Sequence, residues 1–121
     1  MRPALLVLIV DEQEDTRQLL ARQLFAEGSV VSHASTAGEA LCIIRQQRPD
    51  MVVAPDSLAG TLAELARADR TCPSCRMIGP GELAPPTSDV GCQIRFVGHS
   101  EDLISCLRAL RQVQQQGPET D

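Results

Sequence analysis

Residues 4–10, ALLVLIV, form an unbroken apolar run that stops at Asp11-Glu12. Apolar sequence without alternation is the pattern of a strand buried on both faces, as in parallel sheets covered by helices. Such a strand delivers the residues after it to one edge of the sheet. Two carboxylates at that edge are the first candidates for chemistry in the chain.

At 121 residues the chain has enough length for one core and hardly for two. No apolar run approaches the roughly 18 residues that span a bilayer. The opening run lacks the small-residue cleavage site of a secretory signal, so a cytoplasmic protein without membrane contact is expected. A net charge of −5 disfavours direct binding to nucleic acid, because phosphate contacts need clustered cations; protein partners fit better. Five cysteines in no regular framework are expected to be thiols in a reducing compartment. All 11 basic side chains are Arg, so any mechanism that requires a lysine is excluded.

Read in order, a helix is expected over 15–27, with Leu19, Leu20 and Leu24 inward, Phe25 at the shoulder and Gly28 as the stop. A second strand covers 30–34. Ser35 or Thr36 can cap a second helix carrying Ala37, Ala40, Leu41 and Ile44 at helical spacing. A third strand at 51–54 ends at Pro55. This βαβαβ alternation predicts an open parallel sheet with helices on both faces. Leu58, Leu62 and Leu65 mark a short third helix, 71–75 a turn, and 76–78 a fourth strand. The segment 79–91, GPGELAPPTSDVG, is too rich in Pro and Gly for a full helix. A fifth strand spans 93–97. Ser100 is the expected cap of a final helix with Glu101 and Asp102 in its first turn and Leu103, Leu107 and Leu110 inward. Residues 1–111 thus form one domain, and 112–121 read as a polar linker or tail.

LLVLIVDEQEDTRQLLARQLFAEGSVV, then GEAL, then RPDMVV stand in an order and spacing that resemble the response-regulator receiver domains of bacterial two-component signalling. The resemblance covers about 4–111. It implies a flavodoxin-like three-layer sandwich with a five-stranded parallel sheet in the order 2-1-3-4-5, its fourth helix here short or missing. The functional crevice of such sheets lies where the strand order reverses. In a working receiver the acid pair binds Mg²⁺, an aspartate ending the third strand takes a phosphoryl group, and a hydroxyl residue and a lysine contact the phosphoryl oxygens. The charge that accumulates on an acyl phosphate among carboxylates demands those cations.

Asp11 and Glu12 match the acid pair, which makes Mg²⁺ a possible cofactor there. The acceptor position falls on Pro55, which has no nucleophile, and Asp56 stands one residue late, where it reads as a loop-surface acid. Ile78-Gly79-Pro80 occupies the place of the hydroxyl residue. Phe96 occupies that of the lysine, and Leu58-Ala59-Gly60 replaces the loop after the third strand. These departures imply a pseudo-receiver: a vestigial site at Asp11, Glu12, Pro55 and Asp56, no catalysis, and a phosphorylation-independent interaction or regulatory role. The glutamines of the tail resemble linkers that join receivers to output domains, so a fused transcriptional or signalling region is expected. By the same resemblance a partner or homodimer contact would use Leu103, Leu107 and Leu110.

Two other readings stay open. One is a divergent receiver phosphorylated at Asp56 with Mg²⁺ on Asp11 and Glu12. The other is a small flavodoxin-like redox protein using Cys72 and Cys75, whose CxxC spacing lets two sulfurs converge. His33 and His99 have no partner at a telling spacing and read as structural or solvated.

Overall fold

The computed structural model describes residues 4–70, 75–81 and 92–115. The elements run β1 (Leu6–Val10), α1 (Glu14–Ala26), β2 (Val30–Ala34), α2 (Ala37–Gln47), β3 (Met51–Ala54), α3 (Asp56–Ala68), β4 (Cys75–Ile78), β5 (Cys92–Gly98) and α4 (Leu103–Gln115). The strands form one parallel five-stranded sheet. The expected turn at 71–74, most of the expected 79–91 loop with its short or missing helix, and the tail beyond 115 lie outside the described residues. Helix α4 runs through Gln112 to Gln115, into the segment expected to be linker.

Strand alternation explains the two cores. Leu8 and Val10 of β1 join Val52 and Ala54 of β3 and Ile94 and Phe96 of β5 under α2 and α3. Val7 and Ile9, with Met51, Val53 and Val97, meet Leu24, Leu103 and Leu107 on the opposite face, under α1 and α4. Each fully buried Leu or Phe contributes about 1.5–3 kcal/mol. The opening run is therefore an interior strand, next to the central β3 and fully buried from Val7 to Val10.

The strand order is β2-β1-β3-β5-β4, which corrects the expected 2-1-3-4-5 within the same fold class. An interior strand must be apolar on both faces, and β5 is: Ile94, Phe96 and Val97 have no exposed surface. Strand β4 has only Met77 and Ile78 buried, with Arg76 exposed. It suits an edge, and Arg67 of α3 donates from Nε and a terminal nitrogen to the Met77 carbonyl at 3.2 and 2.8 Å.

Helix details depart from expectation where spacing decides. Leu19 is 58% exposed and Phe25 73% exposed, because five positions from Leu24 is about 140° around a helix and one is about 100°. On α3 the buried stripe is Ala59, Leu62, Ala63 and Ala66, so Leu65 is exposed and Leu58 only partly buried. Thr36 caps α2, accepting from the Glu39 N–H at 3.1 Å, while the Glu39 carboxylate accepts from the Ser35 N–H at 2.9 Å. Asp102, not Ser100, caps α4: its carboxylate accepts from the Ser105 N–H at 3.1 Å and the Ser105 hydroxyl at 2.9 Å.

Candidate functional site

Because β5 lies beside β3, the segment after β5 meets the segment after β3. Ala54 and Gly98 are register partners at the ends of the two strands. Strand β3 passes into α3 through Pro55 alone, whose carbonyl accepts from the Leu58 and Ala59 N–H groups at 2.8 and 2.9 Å. Leu58-Ala59-Gly60 is therefore helical and not a connecting loop. Asp56 is the first helical residue, so it is a surface acid as expected but stands on a helix and not in a loop. Its carboxylate reaches across to Ser100, accepting the backbone N–H at 3.0 Å. A Cβ placed on Gly98 would collide with that carboxylate and lie 3.2 Å from the Asp56 Cα. The Ser100 N–H first, then the Ser100 hydroxyl, holds the Asp56 carboxyl below its ordinary value, and the nearby His99 adds to this.

Asp11 closes the other side. Its N–H donates to the Ala34 carbonyl at 3.0 Å, and Oδ1 accepts from the Gln13 N–H at 2.8 Å. Oδ2 stands 3.7 Å from Nδ1 of His99, and Arg17 donates to the Asp11 carbonyl. The opposite ring nitrogen of His99 is buried without a hydrogen-bond partner. Glu101 fixes the turn by accepting from the Gly98 N–H at 3.0 Å and donating its own N–H to the Gly98 carbonyl at 3.1 Å. The crevice thus gathers Asp11, Asp56 and His99 at the ends of β1, β3 and β5. Glu12 is exposed beside it.

A hard divalent cation needs several oxygens converging on one point. Here one Asp11 oxygen is engaged by Gln13 and the other faces an imidazole, while Asp56 is held by Ser100. Among the described residues no group of three His, Cys, Asp or Glu side chains is arranged to hold a metal. Sequence reasoning missed Gly98, His99 and Ser100, since only the strand order brings them to Asp56.

The other expected sites are placed differently. Leu103 and Leu107 are buried in the core under α4, and Leu110 packs against it, so this apolar surface is used within the fold. Cys75 is disulfide-bonded, which corrects the expectation of a free thiol there; Cys72 lies outside the described residues. Cys42 and Cys106 are free, and burial above all pushes the Cys106 thiol up, away from thiolate chemistry. No described helix is long and apolar enough to cross a membrane.

No family model matches the chain. An uncharacterized 14.6 kDa protein from Leptolyngbya boryana is 40% identical over 47 residues, 39% of this chain and 36% of that protein. The chain thus matches little more than a third of that relative's length. The N-terminal domain of an uncharacterized protein from Wolinella succinogenes superposes with a TM-score of 0.59 at 18% identity, over 93% of this chain and 98% of that one. A chemotaxis response regulator of Vibrio cholerae gives 0.55 at 20% identity, over 92% and 99%. A response regulator receiver modulated diguanylate cyclase from Pelobacter carbinolicus gives 0.57 at 19%, over 91% and 94%. These superpositions cover more than nine-tenths of the chain, and the chain has the receiver-like fold.

Proposed function

We propose that this chain is a receiver-like domain that works without a phosphorylation cycle, as an interaction or regulatory module in bacterial signal transduction. It would stand N-terminal to an output region of a transcriptional or signalling regulator. The observation that carries this reading is the end of β3: Pro55 stands at the acceptor position, and Asp56 is drawn over Gly98 into hydrogen bonds with Ser100. Phosphoryl transfer requires a carboxylate oxygen free to attack and cations to offset the charge that develops. Here one Asp56 oxygen is engaged by the Ser100 N–H, and no lysine exists in the chain to offset that charge. The fused output region draws support from a solved neighbour described as a receiver-modulated diguanylate cyclase.

A second reading is favoured by one fact, the arrival of Asp56 in the crevice beside Asp11 and His99: a divergent receiver phosphorylated at Asp56. Intact-mass measurement after incubation with a small phosphodonor and Mg²⁺ separates the two. The pseudo-receiver is expected to keep its mass. A stoichiometric gain of one phosphoryl group, lost in Asp56→Ala, would establish the second reading instead.

A further inference from the structure

We propose that the open edge of β2 joins two copies of this chain about a two-fold axis at Ser32, making one continuous sheet. Strand β2 pairs only with β1 among the described residues. The Val30 N–H donates to the Leu5 carbonyl at 2.9 Å, and the Ala34 carbonyl accepts from the Asp11 N–H at 3.0 Å. Backbone groups alternate along a strand, so Val30, Ser32 and Ala34 turn theirs to β1, and Val31 and His33 turn theirs outward. The strand VVSHA has none of the devices that blunt an edge: no proline, no Lys, Arg, Asp or Glu.

Exposed apolar side chains also lie at this edge. Phe25 and Val30 are exposed there, at 73% and 54%, and a groove of about 450 Å³ is lined by Ala21, Arg22, Phe25, Val30, Val31 and His33. Charge selects a second copy as the occupant. Asp15, Gln18, Arg22 and Phe25 follow one stripe of α1 at helical spacing, with the acid at the start of the helix and the cation towards its end. A two-fold axis perpendicular to the sheet sets the two α1 helices antiparallel on one face. Arg22 of each copy then approaches Asp15 of the other. The same operation places Val31 opposite His33, so that their outward N–H and carbonyl groups exchange hydrogen bonds as antiparallel pairs.

Sedimentation velocity of the full chain over a dilution series is expected to show a reversible dimer. Arg22→Glu turns two attractions into repulsions and is expected to weaken it about tenfold. Combining it with Asp15→Arg restores most of the affinity. Ser32→Cys, on the axis, is expected to crosslink to its counterpart under mild oxidant, at a position that peptide mapping separates from Cys42 and Cys106. These positions are solvent-facing or half-buried, and circular dichroism checks each fold. A chain monomeric throughout would leave the edge to another kind of partner and overturn the proposal. So would a dimer that is insensitive to Arg22→Glu, or one without the crosslink at 32. None of these results depends on whether Asp56 accepts a phosphoryl group.

Discussion

Gly98 has no room for a side chain, and that single restriction reports on the whole crevice. Its Cβ position is filled by the Asp56 carboxylate, with the Asp56 Cα 3.2 Å away. Gly98→Ala is expected to cost about 1–3 kcal/mol in urea denaturation, in the range of overpacking a tight site. Adding Asp56→Ala should recover only part of this, since it removes the carboxylate but not the backbone atom; full recovery would mean that the backbone contact is slack. At this scale Asp11 was legible, because an acid directly after a buried strand must arrive at the sheet edge. Asp56 was not. Its side-chain direction depends on α3 beginning at once after Pro55, and nothing in the order of residues distinguishes a one-residue connection from a longer loop. His99 was equally hidden, since a lone histidine acquires meaning only from neighbours distant in the chain.

At the scale of elements, periodicity located most strands and helices, and burial then corrected which side chains face inward. Leu107 is fully buried, and Leu107→Ala is expected to cost about 2–5 kcal/mol, whereas Leu19→Ala should stay within about 0.5 kcal/mol. Parallel denaturation curves check the pair; equal costs would mean that α1 packs by a different face. Thr36→Ala removes the acceptor for the Glu39 N–H and should cost about 1 kcal/mol, read as a lower midpoint with an unchanged denaturant slope. The caps themselves were partly legible. Thr36 followed by Glu39 is a helix-start signature, but at the last helix Ser100 and Asp102 were both eligible. The choice fell to Asp102 because α4 begins at Leu103, which puts Asp102 directly before the first helical residue.

Across the whole molecule, acid should weaken the fold through its hydrogen-bonded carboxylates. Glu39, Asp56 and Asp102 are lowered from ordinary values of 4.5, 3.8 and 3.8, chiefly by backbone N–H donors at Ser35, Ser100 and Ser105. The folded state binds protons less readily at these groups. Their contribution is present above the ordinary values and lost as pH falls through the lowered ones. Asp50 works in the opposite sense. Burial raises its carboxyl against the pull of the Leu6 N–H, so its contribution is present below 3.8 and lost as pH rises through its raised value. Three groups against one predict that the denaturation midpoint falls as pH is taken below about 4. A midpoint that rises in that range would show that Asp50 dominates.

The sequence alone determined that β1 is an interior strand, the alternation that covers both faces of a parallel sheet, the arrival of Asp11 at the crevice, and the absence of any lysine to complete a phosphoryl site. Those properties are local: they depend on which residues are apolar, at what spacing, and on the residues that come directly after them. Only the tertiary structure decided that β5 lies between β3 and β4. Two strands compete for one interior place, and the contest is settled by burial on both faces, which β5 can satisfy and β4 cannot. That choice brings Gly98, His99 and Ser100 to Asp56. It turns an acid that looked misplaced into one wall of the crevice that begins at Asp11.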